Sequence, residues 1–112
     1  MADDAFLVRD LSSLLATTPS DSIVSRTVFG GDHVQATLFA FAPGQELSEH
    51  TASRPAILHV LKGQAQLTLG KETSQAGPGT WAYMPAHLPH SVRAESEVTL
   101  LLLLLKSDPA AH

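Results

Sequence analysis

Residues 56–69, AILHVLKGQAQLTL, hold two different strand patterns on either side of one turn. In the second, Ala65, Leu67 and Leu69 alternate with Gln64, Gln66 and Thr68. Successive side chains of a strand point to opposite faces, so this strand has one buried face and one wet face. In the first, residues 56–61 are apolar at nearly every position, the pattern of a strand covered on both sides. Outward from this pair the same texture continues. SIVSRTV, HVQATLFAFA, TWAYMP, HSVRA and EVTLLLLLL are all of strand length and bounded by Gly, Pro or Asp turn signals. Many short strands at even spacing predict an all-β sandwich or barrel.

The rest of the chain frames that barrel. Phe6, Leu7, Leu11, Leu14 and Leu15 recur at spacings of three and four, which predicts a short helix or turn-rich arm ending before Thr18-Pro19. The expected organisation is an arm over 1–20, a barrel over 21–106 and a frayed tail over 107–112. With 112 residues, 44% apolar, 16% charged and no cysteine, this is one small domain whose core closes without disulfides. Net charge −4 without a Lys/Arg stripe excludes a nucleic-acid partner. The longest apolar run, Leu100 to Leu105, is too short to span a bilayer, which needs about 20 residues. The first residues have neither a basic nor an apolar leader region, so the expected location is the cytoplasm. A strand apolar on both faces also needs a cover. The expectation is a two-fold homodimer with the Leu100 to Leu105 strand near its interface, the alternative being that the arm covers that sheet within one chain.

Six histidines direct attention to residues 44–63, GQELSEHTASRPAILHVLKG, and 79–94, GTWAYMPAHLPHSVRA. These resemble the two motifs of the cupin superfamily, G-x5-H-x-H-x3-E-x6-G and G-x5-P-x-G-x2-H-x3-N. Gly44, His50 and Gly63 fall in register with the first, and Gly79, Pro85 and His90 with the second. The resemblance implies a jelly-roll barrel, the double-stranded β-helix, with a pocket inside its open end. In metal-binding cupins, two histidines and the glutamate of the first motif join the histidine of the second to hold one divalent metal. Here the second histidine position is Ala52, the glutamate position Ala56, the second-motif glycine His87 and the final asparagine Ala94.

Alternation places His50 and position 52 on one face, and a turn at Ser53-Arg54-Pro55 returns position 56 to the same pocket. Two alanines there remove one nitrogen and one oxygen donor, whereas protein sites for catalytic zinc or iron use at least three protein ligands. His87, between Pro85 and Pro89, is the candidate third donor for Zn, Fe, Mn or Ni beside His50 and His90. Glu46 lies on His50's side by alternation and is a candidate oxygen donor or general base. Arg54 is a candidate anion clamp. Leu58, Met84 and Val92, with Ala52 and Ala56, are the expected apolar lining, while odd separation from Ala56 puts His59 on the outer face. Trp81 and Tyr83 share one face, at the pocket rim or at a dimer contact. His33, in a turn, and His112, the last residue, carry no expected role. The function expected first is binding of a small organic ligand with His50 and His90 as polar anchors. The second is a metal-dependent enzyme of oxygenase or isomerase type.

Overall fold

The computed structural model describes residues 4–15 and 20–106. Among them run nine strands: β1 (Ile23–Gly30), β2 (Val34–Phe41), β3 (Glu46–His50), β4 (Ala56–Lys62), β5 (Ala65–Leu69), β6 (Glu72–Ala76), β7 (Trp81–Met84), β8 (His90–Ala94) and β9 (Val98–Leu105). They form a five-stranded sheet, β1-β2-β9-β4-β7, and a four-stranded sheet, β3-β8-β5-β6, antiparallel throughout. The two sheets are the walls of an all-β jelly-roll barrel. β3 and β6 have no alternating apolar pattern in the sequence, and they join the barrel as the two edges of the smaller sheet.

The core lies between the sheets and is built from one face of each strand. Phe41, Leu58, Val60, Leu67, Met84, Val92, Val98 and Leu100 are its larger members. β9 is central, paired with β2 on one side and β4 on the other. Leu100, Leu102 and Leu104 face the core, and alternation sends Leu101 and Leu103 to the outside. The outer faces of the two walls differ in chemistry. On the smaller sheet, the row Glu46–Arg93–Gln66–Gln75 and the row Ser91–Thr68–Thr73 are polar. On the larger sheet, the row Phe29–Ala36–Leu103–Ile57–Tyr83 is apolar, and the row Arg26–Leu38–Leu101–His59–Trp81 has an apolar centre with Arg26 at one end and His59 beside Trp81 at the other.

Part of that apolar face is covered by the arm. Asp10 accepts hydrogen bonds from the Ser12 N–H (3.2 Å) and hydroxyl (2.7 Å), starting a single 3-10 turn over Leu11–Leu14. The arm is therefore turn-rich rather than a regular helix. The Phe6 ring packs on Phe29 at 5.1 Å, and Arg26 donates to the Leu14 carbonyl at 2.9 Å. Beneath this layer Leu38 and Ala40 on the outer face are fully buried. The arm's predicted end at Thr18-Pro19 and the tail over 107–112 lie outside the described residues. No helix among the described residues is long and apolar enough to cross a membrane.

Gly63, in the β4–β5 turn, holds φ +90°, and a Cβ there would sit 1.9 Å from the Glu97 carbonyl oxygen. Both the left-handed backbone and the close approach of a neighbouring chain segment require glycine. Gly63→Ala is expected to destabilise the barrel by about 2–4 kcal/mol, read as a fall in the urea midpoint at unchanged slope.

Candidate functional site

Three loops form one end of the barrel: residues 51–55, 70–71 and 85–89. Backbone hydrogen bonds tie them together. The His87 N–H donates to the Ala52 carbonyl (2.7 Å), the Gly70 N–H to Pro89 (2.7 Å) and the Leu105 N–H to Pro55 (2.9 Å). Antiparallel pairing places His50, the last residue of β3, opposite His90, the first of β8. Their ring centroids are 4.1 Å apart with planes at 63°. His90 is buried and His50 exposed, so the pair has one shielded and one open member.

Each imidazole turns back on its own strand in the same way. Nδ1 of His50 is 2.8 Å from the Ser48 carbonyl, and Nδ1 of His90 is 2.9 Å from the Leu88 carbonyl. A carbonyl oxygen has no proton to give, so Nδ1 of each ring carries the hydrogen and donates it. In the neutral ring Nε2 is then left as an acceptor. Two touching imidazoles held in the same tautomer, each with Nε2 uncommitted, are the site's chemical content.

The pairing corrects two readings made from alternation. A register shift between Leu47 and His50 sets Ser48 and Glu49 against a single residue of β8. This bulge reverses parity: Leu47 shares the inward face with His50, and Glu46 pairs with Arg93 on the outer face. Glu46 is therefore not a donor to this site. β3 also ends at His50, so Ala52 lies in the loop rather than on a strand. A different carboxylate was missed. Glu72 shares the inward row His50–His90–Leu69–Glu72, but it stands two strands from His90, about 10 Å at strand spacing. Only the long-range register reveals it.

Ala56, Leu58, Met84 and Val92 are each 1–3% exposed. They set the floor of the site but present almost no surface to a bound molecule. Half-buried Arg54 and exposed His87 stand at the rim. Trp81 and Tyr83 are away from the mouth: they pair with His59 and Ile57 on the outer face of the larger sheet, where His59 was expected.

The donor set does not fit a catalytic metal. The Nδ1–H to carbonyl bonds are those of metal-binding histidines, but among the described residues no three His, Cys, Asp or Glu side chains gather to hold an ion. His87, as placed, does not complete the set. The alanines at 52 and 56 leave two nitrogens where three or more protein ligands are the rule.

The pattern of the cupin domain matches residues 37–106, more than half of the chain. The chain belongs to the cupin family. No curated protein matches it. This cupin is similar to a conserved protein of unknown function from Streptococcus pyogenes, 28% identical over 94% of this chain and 91% of that one, TM-score 0.81. It is also similar to a cupin superfamily protein from Desulfitobacterium hafniense, 26% identical over 87% and 88%, TM-score 0.80. A DMSP lyase from Ruegeria pomeroyi shares the fold at 21% identity over 82% of this chain and 50% of that one, TM-score 0.71.

The cupin frame gives His87 a physical meaning. It stands at a motif position occupied by glycine, and among the described residues it is the one non-glycine residue with positive φ, +70°. A side chain in the left-handed region costs about 1–2 kcal/mol. His87→Gly is expected to stabilise the protein by about 0.5–1 kcal/mol, seen as a higher thermal midpoint, since glycine adopts this conformation without strain.

Proposed function

We propose that this cupin binds a small organic molecule at the barrel mouth, with His50 and His90 as polar anchors. The observation that carries the proposal is the shared tautomer of the two rings. Both Nδ1–H groups are spent on backbone carbonyls, so both Nε2 atoms are free to accept from a ligand hydroxyl or N–H. Convergent acceptors over an apolar floor are the pattern of a small-molecule site, in which a few polar groups orient a ligand held by apolar contact. The sealed floor favours a ligand that lies across the mouth instead of one swallowed by the barrel. Some proteins that share the fold are enzymes, the DMSP lyase among them, and the fold does not by itself transfer an activity.

The test uses protein purified without a histidine tag and a panel of small polyols, hydroxy acids and monosaccharides, followed by long-range 15N NMR of the imidazoles. At least one panel member is expected to shift the Nε2 signals of His50 and His90 together. His50→Ala and His90→Ala are each expected to weaken that binding at least about tenfold, the loss of one hydrogen bond to a charged or well-aligned group, with the amide spectrum of the barrel retained. The competing reading, a metal-dependent enzyme with a third donor, replaces this one if the panel leaves both rings unmoved and mass spectrometry finds one divalent ion per chain that His50→Ala removes.

A further inference from the structure

We infer that the molecule bound at the histidine mouth is a small hydroxy acid, its carboxylate held by Arg54 while its hydroxyl donates to the pair His50 and His90. The inference rests on the ligand reading above and gives that ligand a chemical class. Among the Asp, Glu, Lys and Arg residues of the described chain, all are exposed except Arg54 and Lys106, which are half-buried. Lys106 donates to the Gly31 carbonyl at 2.9 Å. Arg54 has no hydrogen bond or ion pair with any described residue. Neither Glu49, in the bulge of β3, nor Glu72, at the far edge of the smaller sheet, pairs with it. A partly covered stem restricts where the guanidinium can go, and its N–H donors are left without a protein acceptor.

The backbone shows why that cation belongs to the mouth. Ala56 pairs with Leu104 on one side and Met84 on the other, inside the barrel. The bond from the Leu105 N–H to the Pro55 carbonyl carries this ladder one residue further. Alternation then gives Arg54 the inward parity of Ala56, about 7 Å beyond it along the strand direction. Ala56 is part of the floor, so Arg54 stands above the floor on the wall of the larger sheet. The two imidazoles belong to the opposite wall. His50 is four residues earlier in the chain, which bounds the separation of the two backbones at about 14 Å. Hydrogen bonds at the Ala52 and Pro55 carbonyls hold the loop on both sides of Arg54.

A cation on one wall and two acceptors on the other read a ligand in two halves. A guanidinium matches a planar carboxylate, which it holds through parallel N–H···O bonds. A neutral imidazole with its Nδ1–H committed offers Nε2 as an acceptor, so it takes a hydroxyl from the ligand. An ammonium group there has no carboxylate beside it, since Glu72 stands two strands from His90. A phosphate ester carries nearly two negative charges at neutral pH, and its oxygens need donors where the rings present lone pairs. Facing sheets lie about 10 Å apart between backbones, and side chains from both walls reduce that gap to the length of a few carbon atoms.

The test compares, at constant ionic strength, lactate, glycerate and 3-hydroxybutyrate with the alcohols in which the carboxylate is reduced: propane-1,2-diol, glycerol and butane-1,3-diol. Binding is read by calorimetry and by the Nε2 signals of both rings. At least one acid is expected to bind at least about 30-fold more tightly than its alcohol, the difference made by a charge-assisted pair of hydrogen bonds, and to move both Nε2 signals. Arg54→Gln is expected to erase that preference, bringing the acid down to the affinity of its alcohol. Arg54→Lys is expected to restore only part of it, since an ammonium keeps the charge without the fork. A retained amide spectrum shows that both variants are folded. Alcohols that bind as tightly as the acids, or an acid preference that survives Arg54→Gln, overturn the inference while ring signals that still move keep the ligand reading. Inorganic phosphate binding more tightly than every acid overturns it too. An acid held by Arg54 with both rings unmoved overturns the ligand reading, and the hydroxy-acid assignment with it.

Discussion

Strand β9 is the constraint from which the barrel follows. Its pairing partners flank it on both sides, Val34–Phe41 on one and Ala56–Lys62 on the other, so its backbone donors and acceptors are satisfied without water. That pairing fixes which of its leucines go inward. Leu100 meets Phe39 and Val60, and Leu102 meets Thr37 and Leu58, so a slip of one residue would turn the whole inward set outward. The same pairing carries the Ala56 end of β4 to the level of Leu104, which holds the 51–55 loop, and with it the barrel mouth, in place.

At that mouth the loss of donors and the retention of order go together. Alanines at 52 and 56 remove the side chains that would share the work of His50 and His90. The two imidazoles are nonetheless fixed, each by a carbonyl two residues earlier and each by contact with the other ring. For the ligand binding proposed above, acceptors already held in place would need no reorganisation, so that even a pair of hydrogen bonds would count in a site of so little depth. His87 shows an opposite tension. It keeps a side chain where glycine is the unstrained choice, and strain retained at a pocket rim is more often found where a side chain has work to do.

What the sequence disclosed depended on how local each signal was. β5 was readable because Ala65, Leu67 and Leu69 alternate with polar neighbours, and β4 because its apolar run lacks that alternation. The strands over Glu46–His50 and Glu72–Ala76 gave no such signal, since ELSEH and ETSQA owe their conformation to the partners beside them. His50 and His90 were legible as a pair from motif spacing. Their shared tautomer was not, because it depends on main-chain carbonyls that carry no sequence identity. Alternation also misplaced Glu46, because it counts residues and a bulge adds one without leaving a mark in the letters. The inward row from His50 to Glu72 combines three pairings, two of them between strands distant along the chain, and periodicity within any one strand is blind to it.

The bulges have a bearing on solubility. A free strand edge is a template for adding another chain, the first step toward fibrous aggregates. Here the edges are β1 and β7 in one sheet and β3 and β6 in the other. β1 is broken by a register shift between Thr27 and Phe29, and β3 by the shift before His50. β7 is four residues long, and β6 places Glu72, Thr73, Ser74 and Gln75 in solvent. None of the four offers a long, flat, apolar ladder. The same extra residue that misled the reading of Glu46 thus protects the barrel against open-ended polymerisation.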